Sequence, residues 1–165
     1  MTKSIIIAAV VALVLPLCAA AQDLPAVTLQ NVAGKNVPAR SLVDGKTPFV
    51  ITMWMTTCKP CMKELEALTD EVIDWKESFP LRIYAVSVDD SRSLQRAVAM
   101  AKGSGWDGIT ALFDVNGDLR RALNVSAVPQ VFVYDSKGEL VYTHIGYRPG
   151  DEAELLQQVK NCRAK

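Results

Sequence analysis

Three short apolar runs, at residues 49–54, 81–88 and 109–113, alternate with stretches whose apolar residues recur at helical spacing. That alternation leaves few folds open. The first run, Phe49-Val50-Ile51-Thr52-Met53-Trp54, is rich in strand formers and polar on neither face. Such a strand belongs in the middle of a sheet, covered on both sides. Cys61, Leu65, Leu68, Val72, Ile73 and Phe79 then recur with Lys63, Glu66, Asp70, Asp74 and Lys76 between them, which predicts an amphipathic helix over 58–79, ended by Pro80. The run at 81–88 is the second strand. Asp89-Asp90-Ser91 reads as the cap of a helix reaching to about Lys102, which Gly103-Ser104-Gly105 breaks.

The rest of the chain continues the pattern. The strand at 109–113 precedes a short helix over 118–123. Strands at 130–134 and 139–145 are joined at Asp135-Ser136-Lys137-Gly138, a hairpin signal, and residues 151–162 form a closing amphipathic helix. Ahead of the first run, Val27, Leu29 and Val32 lie around the turn Ala33-Gly34-Lys35 and suggest an N-terminal hairpin; a second turn falls at Asp44-Gly45-Lys46. Strand–helix–strand units make parallel neighbours with helices against the faces, and the late hairpin adds antiparallel strands at an edge. The expectation is one α/β domain, a three-layer sandwich with a mixed central sheet and an N-terminal hairpin. A chain of 165 residues is one domain's worth, and no repeat or linker divides it.

The first 21 residues read as a signal peptide. Lys3 supplies a positive start, residues 5–17 are almost unbrokenly apolar, and Ala19-Ala20-Ala21 offers the small residues read at a cleavage site before Gln22. The run is short of the roughly 20 residues a membrane span needs. An uncleaved N-terminal anchor is the second reading. A lipoprotein reading on Cys18 meets bulky Leu17 where a small residue is wanted. The division is therefore a leader, 1–21, and a domain, 22–165, exported to the periplasm of a double-membraned host.

Basic and acidic side chains balance at 18 each, so no field exists to hold a nucleic-acid backbone. Removal of the leader takes Cys18 and leaves Cys58, Cys61 and Cys162. One close pair and one distant cysteine suit chemistry better than a disulfide framework.

Cys58-Lys59-Pro60-Cys61 lies directly after a buried strand and in the first turn of a helix. Unpartnered N–H groups and the helix dipole favour negative charge there, so a Cys58 thiolate is stabilised. Lys59 adds a small contribution as an exposed cation. Pro60 stiffens the first turn, where its missing N–H costs nothing. Cys61 shares the inward face with Leu65 and Leu68, which makes it the buried resolving thiol. Cys58 attacks a substrate disulfide, and Cys61 then resolves the mixed disulfide. A zinc site would need a second ligand pair, and His144 and Cys162 stand singly and far apart. No metal and no cofactor are expected.

The stretch Trp54-Met55-Thr56-Thr57-Cys58-Lys59-Pro60-Cys61-Met62-Lys63-Glu64-Leu65 resembles the active-site segment of the thioredoxin superfamily, most closely its TlpA/ResA branch. The resemblance runs from about Leu24 to Val159, and the helix and strand between Val88 and Phe113 resemble that branch's insertion. It implies a thioredoxin-like fold and an exported thiol–disulfide oxidoreductase, working as a reductase of exported proteins. Its partners would be disulfide-containing exported proteins and an upstream membrane or periplasmic thiol donor, with the protein itself a monomer.

The resemblance also assigns residues. Pro129 corresponds to the family's cis-proline facing the cysteine pair, and Val128 before it to the backbone that pairs with substrate. Plain thioredoxin keeps a buried aspartate where this chain has Thr52. The TlpA/ResA branch instead carries a glutamate soon after the second cysteine, and Glu64 matches it. Three residues past Cys61 on one helix face, Glu64 could take the Cys61 proton; it reads equally as a solvated surface glutamate. Trp54 is expected as a wall of the site, for substrate contact, or as core. Thr57 replaces the usual tryptophan before the first cysteine, His144 is read as structural, and Cys162 as an idle thiol.

Rival functions narrow the field. An oxidase or isomerase of the same fold stays open, since potentials in this superfamily run from about −270 to −120 mV and Lys59-Pro60 does not fix a value. A peroxiredoxin would want proline and threonine where Ile51 and Met55 stand. A copper-binding thioredoxin-fold chaperone would resemble a CxxxC spacing with a distal histidine, and the spacer here is two residues.

Overall fold

The computed structural model describes residues 23–162; the leader reading, Cys18 and Gln22 lie outside them. Seven strands form a single sheet: β1 (Thr28–Asn31), β2 (Asn36–Pro38), β3 (Phe49–Trp54), β4 (Arg82–Ser87), β5 (Ile109–Phe113), β6 (Gln130–Tyr134) and β7 (Leu140–Ile145). Four helices accompany it, α1 (Lys59–Ser78), α2 (Leu94–Gly103), α3 (Asp118–Ala122) and α4 (Asp151–Asn161), with a 3-10 turn at Ala39–Leu42.

The strand order is β2-β1-β5-β4-β3-β6-β7. The crossovers through α1 and α2 make β3, β4 and β5 parallel neighbours, as strand–helix–strand units must. The hairpin β6–β7 joins antiparallel beside β3, and β1–β2 joins antiparallel beside β5. The sheet is mixed, as the sequence predicts. The turn after β6 needs its glycine: Gly138 sits at φ +86°, and a Cβ there would come 2.7 Å from Val43 Cγ2.

Every residue of β3 is buried, because both faces of the strand are covered. Phe49, Ile51 and Met53 point to one face, with Tyr84, Val86, Leu119 and the N-terminal Leu24 and Leu29. Phe49 stacks on Tyr134 there, ring centroids 5.0 Å apart. Val50 points to the opposite face and packs with Leu68, Val72, Leu155 and Val159 of α1 and α4. Trp54 shares that side with Cys61, Leu65, Ala97 and Trp106.

Two local expectations are corrected. Ile73 is 47% exposed and does not belong to the buried face of α1, whose inward residues include Glu64 and Trp75 instead. The helix after β4 begins only at Leu94, and Ser93 makes no side-chain cap. Asp90 Oδ1 accepts from the Arg92 and Ser93 N–H groups, closing a turn, while Asp89 faces the interior.

Candidate active site

The turn between β3 and α1 holds Cys58 where the sequence places it. The Cys58 N–H donates to the Met55 carbonyl at 3.0 Å, and Cys58 then caps α1. Its sulfur accepts the Cys61 N–H at 3.2 Å, with Pro60 inside the first turn. The dipole of a 20-residue helix and one of its free N–H groups therefore face the Cys58 sulfur. Cys58 and Cys61 are joined as a disulfide. Cys61 is fully buried, whereas Cys58 is half-buried and reachable.

A second tie fixes the same turn from across the sheet. Asp89, buried just past the end of β4, accepts the Thr56 N–H and the Thr56 hydroxyl, each at 2.9 Å. Its carboxylate also accepts the Ser87 hydroxyl at 2.9 Å. The residue two before Cys58 is thus clamped by side-chain and backbone bonds to one carboxylate. Sequence reasoning missed this role, because Asp89-Asp90-Ser91 looks like an ordinary helix cap.

The Val128–Pro129 peptide is cis, and the Val128 carbonyl oxygen lies 3.6 Å from Cys58 Sγ. β6 starts at the next residue, Gln130, paired with Met53 of β3. The loop before β6 is thereby brought beside the sulfur, with Val128 packed on the cluster that contains Cys58 and Cys61.

Glu64 is buried, so the solvated-surface reading of it falls. Its Oε2 accepts the Thr52 hydroxyl of β3. Thr52 thus occupies the place from which an acid is missing and holds the acid that α1 supplies. Burial pushes the Glu64 carboxyl up from its ordinary 4.5 to about 7, a rise the Thr52 hydrogen bond opposes and the nearby Asp151 reinforces. A carboxyl poised near neutrality, one helical turn from the buried sulfur, can take or return a proton at working pH.

The other residues separate. Trp54 is fully buried, with Trp106 packed edge-to-face against it at 5.0 Å between ring centroids. It backs the disulfide from inside and offers no surface to a substrate, which corrects its reading as a contact residue. Thr57 and Lys59 are exposed beside Cys58. Cys162 lies half-buried against the α4 side of the core, its thiol donating to the Gln158 carbonyl at 3.2 Å. His144, on β7, approaches Asp151 at the start of α4, Nε2 to Oδ2 3.3 Å. Among the described residues, no helix is long and apolar enough to cross a membrane.

Known proteins share this architecture. A thioredoxin-like protein from Porphyromonas gingivalis superposes with a TM-score of 0.73 at 43% identity, over 86% of this chain and 92% of that one. The thiol:disulfide interchange protein DsbE of Tatumella citrea is 28% identical over 72% of this chain, and DsbE of Vibrio cholerae is 28% identical over 70%. The matches span 60% and 66% of those two relatives' own length. Residues 20–143 match the model of the AhpC/TSA family, most of the chain and all of the cysteine-pair region. With its mixed sheet, its cysteine pair capping α1 and its cis-proline opposite, the chain is a thioredoxin-fold member of the AhpC/TSA family.

Proposed function

We propose that this protein is a thiol–disulfide oxidoreductase that reduces disulfides of exported proteins in the periplasm. The observation that carries the reading is the asymmetry of the pair: a reachable Cys58 at a helix N-terminus and a buried Cys61 one turn from Glu64. The related DsbE proteins are thiol:disulfide interchange proteins by name, which supports the same chemistry.

In the reducing direction, the Cys58 thiolate attacks one sulfur of a partner disulfide, and the other sulfur leaves as a thiolate. Cys61 then gives its proton to the Glu64 carboxylate and attacks Cys58 Sγ. The Cys58–Cys61 disulfide forms, and the partner leaves with both cysteines reduced, having gained two electrons. A donor dithiol outside this chain restores the pair. The Val128 carbonyl, beside Cys58 Sγ, faces the position an incoming partner strand would take. With the electrons reversed, the same groups would oxidise a dithiol.

A Cys61→Ser variant should retain exported proteins as mixed disulfides through Cys58, because no second sulfur remains to release them. The complexes should vanish on reducing gels and in the Cys61→Ser, Cys58→Ser double variant. Absence of any Cys58-linked partner would sink the reading. Measuring the potential of the wild-type pair against glutathione separates reductase from oxidase, with a value near −270 mV favouring the former.

A further inference from the structure

Beneath the start of α4 lies a small cavity lined by Glu64, Val131, Tyr142, His144, Tyr147 and Asp151, among others. It offers about 20 Å³ to water. A water needs roughly 10–15 Å³ by this measure together with polar partners, so the space suits one molecule. Its floor follows the sheet register: Thr52 pairs with Val131, and Val131 pairs with His144. The row therefore leads from the residue holding Glu64 across two strands to the partly exposed His144. Asp151 closes the far side. Its Oδ2 accepts the Arg148 N–H at 2.7 Å and lies 3.3 Å from His144 Nε2.

We propose that Asp151 is a positioning residue for the reaction, acting across this cavity on Glu64 and so setting the pH at which Cys61 can be deprotonated. This rests on Glu64 being the proton acceptor. The carboxyl of Glu64 meets Thr52 from β3, which carries no charge. Across the cavity stand His144 and Tyr142 from β7, Tyr147 from the loop, and Asp151 and Glu152 from α4. Glu152 accepts from the Gly150 N–H and the Tyr147 hydroxyl, which ties its charge to the loop. Asp151, held by the Arg148 N–H, also borders the space with room for a water, and a like charge there disfavours ionisation of Glu64.

The test follows Glu64 directly, by carbon-detected NMR of labelled glutamate in the oxidised protein, together with the pH profile for resolution of a preformed Cys58 mixed disulfide. Asp151→Asn keeps an oxygen for the Arg148 N–H and removes the charge. It should lower the Glu64 midpoint by roughly half to one pH unit, about a three- to tenfold change in its ionised-to-protonated ratio. The rate profile should move in the same direction. Asp151→Glu should restore the wild-type midpoint, and Glu66→Gln, an exposed change of equal charge on α1, should leave it unmoved. An unchanged midpoint in Asp151→Asn, or an equal shift in Glu66→Gln, overturns the proposal. If the midpoint shifts while the rate profile is the same in wild type and Glu64→Gln, the coupling is real but Glu64 is not the base, and the proposal falls as stated.

Discussion

Glu64→Gln should slow release of a Cys58-bound partner by roughly 10–100-fold near neutral pH, while attack by Cys58 is little changed. The amide keeps the shape of the side chain and can still meet the Thr52 hydroxyl, so packing survives. What the proposed mechanism loses is its acceptor for the Cys61 proton, in a site where Cys61 is fully buried. Stopped-flow resolution of a preformed mixed disulfide across pH measures the effect. Equal rates for wild type and variant would move the proton acceptor elsewhere.

The same substitution has a signature in stability, and its sign is fixed by the direction of the shift. Burial raises the folded-state Glu64 value to about 7 from 4.5, so between those values the folded chain binds more protons than the unfolded one. The stability of the wild-type oxidised protein contributed by the neutral carboxyl is complete below about 4.5 and is lost as pH rises through about 7. The loss is on the order of 3 kcal/mol. Glu64→Gln has no such proton to lose. Urea unfolding at pH 5 and pH 8 should therefore show a marked decline in wild type and a much smaller one in the variant.

The second large effect is expected at Asp89. Asp89→Ala removes the acceptor of the Thr56 N–H, the Thr56 hydroxyl and the Ser87 hydroxyl, all buried. A buried donor left without a partner costs about 1–3 kcal/mol, and some of these will turn to water or to each other. A net loss of about 2–4 kcal/mol follows, large against the 5–15 kcal/mol that holds a typical domain folded. Denaturant unfolding of the oxidised protein reads this directly. A loss below about 0.5 kcal/mol would show that the clamp is not what holds the turn in place. Asp89→Asn, which keeps one acceptor oxygen, should fall between the two.

The architecture was legible because its signals are local. A short unbroken apolar run against period 3.6 marks β3 and α1 with no knowledge of the rest of the chain, Pro80 ends α1, and Gly138 marks the β6–β7 turn. The cysteine pair was legible for the same reason. A helix start directly after a buried strand carries its own dipole and its own free N–H groups, so residues 54–61 contain the chemistry of Cys58 within themselves. Ile73 misled because it lies eight residues past Leu65 and next to Val72, and only the packing shows that the stripe runs through Glu64 and Trp75 instead.

What the tertiary structure decided are the partnerships between distant residues. Thr52 and Glu64 are 12 residues apart, Thr56 and Asp89 are 33 apart, and Cys58 and Val128 are 70 apart. Each of these residues has an ordinary local reading: a surface glutamate, a helix-capping aspartate, a valine before a proline. An acid's role depends on whether another element removes water from it and supplies a donor, and sequence spacing along one helix carries neither fact. The chain alone determined where the reactive sulfur sits and why it is reactive. The closing of β3, β4 and β6 around it gave the two buried acids different surroundings: one hydroxyl donor from Thr52 for Glu64, and three donors from Thr56 and Ser87 for Asp89.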